Sequence, residues 1–360
     1  MTQETEYNAS RAEQFAERLI SVLNDGALCL MTSIGHRTGL FDVMATGEPT
    51  TCAELAEQAG LNERYVREWL GAMVTGNIVE LDAETERYRL PAEHAAWLTR
   101  NSPEGNIAVF AQYIPLLGAV EDDIVECFRK GGGVPYSRFL RFHEVMAEDS
   151  GQTVLAALDE HILPLVEGIT DRLDAGIDVL DVGCGSGRAL VHLARRFPNS
   201  RFMGIDLSDE AVRTGKQEAK SLGLGNLSYE ARDLSGFDRD AQPEAFDFVT
   251  AFDAIHDQAR PRSVLKGIWR TLRPDGVFLM QDIRASGHHD GDREHPIGPL
   301  LYTISCMHCM TVSLAQGGEG LGAMWGEAKA RELLGEAGFR DVATHTLAHD
   351  FQNNFYVIRK

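Results

Sequence analysis

The chain has 360 residues, 44% of them hydrophobic and 24% charged. That is enough for two to three domains of ~100–200 residues and excludes a wholly disordered chain. Its 54 acidic and 34 basic residues leave a formal net charge of −20, which repels DNA, RNA and anionic membranes and favours a neutral or cationic small molecule. Six scattered cysteines form no disulfide framework. The opening MTQETEYNAS lacks the basic and apolar regions of a secretory signal, so a cytoplasmic location is expected.

Residues 10–35 read as a helix, because Phe15, Leu19, Ile20, Leu23, Leu28, Leu30 and Met31 recur near helical spacing. Such an apolar helix needs a cover, either the protein's own body or a second subunit, and a homodimer is expected. Residues 36–100 read as a winged-helix unit. Leu40–Met44 ends one short helix, Thr50 or Thr51 caps a second over 53–59, Gly60 breaks it, and Asn62 caps a third over 64–74. Two short strands follow at 78–81 and 87–90. The shape invites a DNA reading, but residues 1–100 carry 16 acidic and 8 basic side chains, so no nucleic-acid partner is expected. Residues 101–175 read as linking helices, with a turn at Gly131-Gly132-Gly133 and apolar periodicity over 139–146 and 154–169.

From Asp178 the chain alternates strands and helices. Strands are expected at 178–182, 201–206, 227–231, 246–252, 276–282, 341–347 and 354–359. This is the rhythm of an α/β fold with a mainly parallel, Rossmann-like sheet of seven strands. Three parts are therefore expected: 1–100 with the N-terminal helix and winged helix, 101–175 as linker and pocket segment, and 176–360 as a ligand-binding α/β domain.

The first strand runs into Asp181-Val182-Gly183-Cys184-Gly185-Ser186-Gly187. Missing side chains let a ligand approach this backbone closely. A dinucleotide loop would need glycine at 188, where Arg188 stands, and the Asp181 carboxylate would repel a pyrophosphate. Asp181 suits instead the ammonium group of S-adenosylmethionine (SAM). Asp206, about 20 residues beyond the glycines, is placed for both ribose hydroxyls, and Asp233 for an adenine amino group. Each acid alone would be read as a loop cap; three at successive strand ends, with the glycine turn, point to a ligand.

VLDVGCGSG, GIDLS, ARDLS, FDFVTAFDAIHD and LRPDGVFLMQD resemble the successive motifs of class I SAM-dependent methyltransferases. Residues 10–175 resemble the winged-helix and linker part through which small-molecule methyltransferases of this kind dimerise, and the whole chain resembles a little-characterised bacterial group of winged-helix SAM methyltransferases. The resemblance implies SAM as cofactor, a small-molecule acceptor, and a cofactor pocket made by Asp181, Gly183, Cys184, Gly185, Asp206, Leu207, Arg232, Asp233, Leu234 and Phe252. His256-Asp257 resembles the pair that opens a helix in O-methyltransferases, where the histidine is the general base. Asp282 aligns with an acid supporting that base, and Asp257 is the other candidate. Phe142 and Met146 resemble residues laid over the methyl donor.

Residues 295–318 hold no Asp, Glu, Lys or Arg, yet are too polar and broken to span a membrane. They are expected to form a buried helix or lid, with Cys306, Cys309 and Trp325 as acceptor-pocket walls. Cys306-x-x-Cys309 with His308 raises zinc, but one pair inside a helix falls short of a metal site, and none is expected. O-methylation through His256 is the favoured chemistry. Methylation of a thiol, which needs less help from a base, and a non-catalytic SAM-binding regulator are the alternatives.

Overall fold

The computed structural model describes residues 7–45, 48–102 and 105–360. The chain divides into two compact units, Met1–Leu116 and Leu117–Lys360; residues 117–175 fall within the second.

The first unit opens with a 30-residue helix, Ala9–Thr38. The Asn8 side chain caps its start, and Gly39, at φ 75°, ends it. Phe15, Leu19, Ile20 and Leu23 on this helix are exposed, Phe15 by 64% and Leu23 by 68%. The next helices are Leu40–Ala45, which begins at the residues expected to end a helix, and Cys52–Ala59 and Glu63–Thr75, which start within a residue of the expected positions. Thr51 and Glu54 form a reciprocal capping box, and the Asn62 side chain accepts from Arg64 N. Strands β1 (Glu80–Asp82) and β2 (Arg87–Arg89) pair antiparallel. Phe41, Leu55, Leu70, Met73 and Trp69 fill the core, with Phe41 and Trp69 edge to face at 5.3 Å. The long helix reaches that core at Gly35, where a Cβ would lie 2.7 Å from both rings.

The second unit is built on a seven-stranded sheet in the order β5-β4-β3-β6-β7-β9-β8. The strands are β3 (Asp178–Val182), β4 (Arg201–Asp206), β5 (Leu227–Ala231), β6 (Phe246–Phe252), β7 (Leu272–Ile283), β8 (Asp341–Leu347) and β9 (Asp350–Arg359). The first five are parallel, and β9 runs antiparallel between β7 and β8. Leu180, Val182, Val249, Ala251, Phe278 and Met280 pack on one face; Val179, Phe248, Leu279, Phe355 and Val357 pack on the other. Burial on both faces explains why these strands read as apolar runs. Strand order reverses between β3, which leads to β4 on one side, and β6 on the other. Ligands of open α/β sheets bind at such a point.

Two expectations need correction. Residues 154–169 form no single helix: 3-10 turns at Leu155–Ala157 and Leu163–Leu165 flank a π-turn at Leu158–Ile162. Pro164 lacks the N–H a helix needs, and Gly168 turns left-handed at φ 73° before the helix Ile169–Ala175. Strands β7 and β9 are longer than expected, both continuing through polar residues.

Candidate active site

The glycine turn after β3 lies at the switch point and is held from behind. Gly183 N and Cys184 N donate to Ile205 O at 2.8 and 3.1 Å. Gly185 N donates to Asp206 Oδ2 at 2.8 Å, and the Tyr229 hydroxyl donates to Gly187 O at 3.2 Å. Gly183, Gly185 and Gly187 all adopt φ between 55° and 72°, which disfavours any other residue. The helix Arg188–Arg196 starts directly from this turn.

Asp206 also accepts from Ser208 N at 2.8 Å, so its carboxylate ties the turn after β3 to the turn after β4. Asp181 is buried, accepts from the Thr250 hydroxyl at 2.7 Å, and is pushed up to about 7 by burial, with Asp206 adding to the rise. Asp257 is also pushed up to about 7 by burial, opposed by His256 and reinforced by Asp206. Carboxylates that raise one another's protonation in this way favour a cationic ligand. SAM, with a sulfonium and an ammonium, fits that donor set, and a Cβ on Gly185 would meet nothing within 4 Å.

Other expected cofactor residues are less uniform. Asp233 is exposed and accepts from Ser235 N at 2.8 Å and its hydroxyl at 2.6 Å, the loop-capping arrangement. Leu207 is exposed, while Leu234 is buried in the main core. Phe252 is half-buried beside the other core cluster. The Arg232 guanidinium lies over Phe237, 5.6 Å from the ring centroid.

His256 lies in the turn after β6, ahead of the helix Pro261–Thr271, rather than opening a helix. Its Nδ1 donates to Asp282 Oδ1 at 2.8 Å, both side chains being buried. Because β6 and β7 are parallel neighbours, their carboxyl ends bring together residues 26 positions apart. Asp282 Oδ1 also accepts from Trp325 Nε1 and from Ile283 N, each at 2.9 Å. Trp325, expected in the acceptor wall, therefore stands behind Asp282 with its ring in the main core. Asp257 makes no hydrogen bond to the His256 ring among the described residues. Burial opposes charge on His256, but Asp282 and the nearby Cys309 sulfur hold its protonation well above the ordinary histidine range.

Cys309 is buried, whereas Cys306 is half-buried. They lie in a π-turn, Ser305–Cys309, between the helices Gly298–Ile304 and Met310–Ala315. Phe142 is buried in the helix Phe142–Thr153 and stacks on His308, and Met146 is half-buried in the same helix. The sequence reading missed Tyr136, whose hydroxyl is pushed well above its usual range by burial and then by Asp257 and Asp206. It missed Thr250 as well. Thr250 lies inside the FDFVTAFDAIHD run but carries no signal of its own there, and Tyr136 is signalled only by the turn that precedes it. No helix among the described residues is long and apolar enough to cross a membrane.

Residues 26–100 match a family model described as an Rv2258c-like winged HTH domain, and residues 173–330 match that of a methyltransferase domain. The sterol 24-C-methyltransferase of Eremothecium gossypii is 27% identical over 281 residues, 77% of this chain and 60% of that enzyme. The nocamycin O-methyltransferase of Saccharothrix syringae is 36% identical over 120 residues, 32% of this chain and 42% of its own. The chain thus spans less than two thirds of the length of these curated relatives. Human N-acetylserotonin methyltransferase, solved in complex with SAM, shares the fold with a TM-score of 0.65 at 19% identity, covering 99% of each chain.

Proposed function

We propose, for a chain that joins a winged HTH domain to a methyltransferase domain with a seven-stranded class I fold, that it uses SAM to methylate a hydroxyl of a small molecule with His256 as general base. The observation that carries this reading is the buried Asp282–His256 pair, 2.8 Å apart, next to the carboxylate-lined glycine turn. When bound, SAM supplies a methyl group made electrophilic by a positively charged sulfur.

The chain's residues do the rest. Asp206 binds the ribose hydroxyls with the lone pairs left by Gly185 and Ser208. Asp181, steadied by Thr250, takes the ammonium. Asp282 accepts from Nδ1, which leaves Nε2 as the basic nitrogen. Nε2 takes the acceptor's proton as the methyl moves, and Asp282 stabilises the imidazolium that forms. Measuring S-adenosylhomocysteine (SAH) release across phenols, thiols, carboxylates and amines, with wild type and His256→Ala, tests the reading. Turnover confined to thiols and indifferent to His256 would replace it with S-methylation.

The proposal extends to a cytoplasmic homodimer. Exposure of Phe15, Leu19, Ile20 and Leu23 along one long helix supports the dimer. A reducing compartment is supported by six cysteines that are all free thiols. A DNA-binding regulator is disfavoured, because Arg64 and Arg67 of the third winged-helix segment are paired with Glu68 and Glu63.

A further inference from the structure

The π-turn Ser305–Cys309 buries two consecutive side chains, His308 and Cys309. Such turns are rare and concentrate at functional sites. Cys309 reaches His256. His308 has no solvent exposure, and neither ring nitrogen has a hydrogen-bond partner among the described residues. Leaving both unsatisfied is costly, so the arrangement calls for an explanation.

The surroundings are aromatic. The His308 ring stacks on Phe142 at 3.5 Å and 8°, and meets Phe139 and Tyr136 edge-on at 4.7 and 5.1 Å. Burial, with His256 and His143 nearby, holds His308 well below the ordinary histidine range, so the ring is neutral. A neutral imidazole offers one N–H and one lone pair. Its complement is an uncharged group that both gives and takes a hydrogen bond. A carboxylate is opposed by Asp257 and Asp282, which flank the neighbouring His256.

We propose that His308 is a second recognition point of the acceptor pocket, and that the acceptor is a flat aromatic hydroxyl compound carrying a further uncharged hydrogen-bonding group, such as a second hydroxyl. This rests on the O-methylation reading of the same site. Phe142, Phe139 and Tyr136 supply the aromatic surface, His256 faces the reacting hydroxyl, and His308 binds the other group.

The test uses the full-length protein with SAM and four acceptors: phenol and its 2-, 3- and 4-hydroxy derivatives. In wild type, at least one dihydroxybenzene should exceed phenol in kcat/KM by roughly tenfold, the worth of a well-made hydrogen bond. His308→Phe keeps a ring against Phe142 but removes both nitrogens; the ratio should fall to about one, chiefly through KM. His308→Gln should restore part of it. A wild type without preference, or a Phe variant that keeps it, overturns the proposal.

A second arm needs no turnover. Histidine-ring nitrogen NMR of the SAH-loaded protein, titrated with each dihydroxybenzene, should move the His308 signals, identified by their loss in His308→Phe. If none moves, His308 is a stacking residue only and the proposal falls. SAH binding by calorimetry and methylation of phenol itself report separately on the underlying reading.

Discussion

Replacing Asp181 by Asn should make the ligand-free protein more stable and its cofactor binding weaker. Asp181 is 3% exposed, and burial with Asp206 nearby pushes its carboxyl from 3.8 to about 7. The folded state therefore keeps a proton that the unfolded chain releases near pH 4. Stability contributed below that point is lost as pH rises, and the loss is complete above about pH 7. A displacement of about three pH units corresponds to about 4 kcal/mol at 1.36 kcal/mol per unit. Water entry and relaxation reduce it, so we expect a gain of roughly 1–3 kcal/mol for the Asn variant at pH ~8. Asn can still accept from Thr250, so packing is preserved. Thermal unfolding with and without SAH, at pH ~4 and pH ~8, measures the effect: the two proteins should converge in acid and separate in base. SAH affinity at pH ~8 should fall by roughly 1.5–3 kcal/mol, the worth of a hydrogen bond to a charged group. An Asn variant no more stable in base, or one that binds SAH as tightly as wild type, would refute the reasoning.

Asp206→Ala should weaken SAM binding by roughly 1–3 kcal/mol in calorimetry, because ribose hydroxyls and the N–H groups of Gly185 and Ser208 lose their acceptor; unchanged affinity would remove Asp206 from the site. His256→Ala should cut turnover on hydroxyl acceptors by roughly 10²–10⁴ with little change in SAM affinity; a variant as fast as wild type would end the base assignment. Wild-type rate should rise with pH as His256 loses its proton, above the ordinary histidine range because Asp282 holds the charge. In Asp282→Asn the midpoint of that rise should move to lower pH, and an alkaline move would contradict the pairing. Charges placed on the long helix, as in Phe15→Glu with Leu23→Glu, should yield monomers in light scattering if that face joins two copies, whereas an unaltered mass would exclude it.

The sequence conveyed the sheet well where strands are apolar runs between breakers, so β3, β4, β5, β6 and β8 begin and end where expected. It conveyed β7 poorly, because the polar run from Arg273 to Gly276 gives no apolar signal even though Leu272 already pairs with Phe246. Likewise Gln352, Asn353 and Asn354 disguise the start of β9; Gln352 N and the Asn353 backbone and side chain donate to Asp350. The pairing of His256 with Asp282 was carried by the resemblance alone, which left Asp257 as the other candidate; the contact itself follows from neighbouring parallel strands that end side by side. The place of Trp325 was not, since a tryptophan near a pocket and one behind a carboxylate leave the same trace in sequence. Nor was the isolation of His308, because helical periodicity assigns the wrong face to residues in a π-turn.

The glycine turn carries a consequence for the tempo of binding. Its amides and one carbonyl are held by Ile205, Asp206 and Tyr229. Behind it, Gly204 packs so closely that a Cβ would lie 2.7 Å from Cys184 Sγ and 2.8 Å from Tyr229. A cradle wedged into shape by its own backing has little left to organise when a ligand arrives. Encounter and capture then merge into one event, and the observed rate of association climbs in a straight line with ligand concentration, without the plateau that marks a slow rearrangement. Occupancy is consequently governed by how long the ligand stays, and residence time becomes the quantity through which changes at Asp181 and Asp206 are felt.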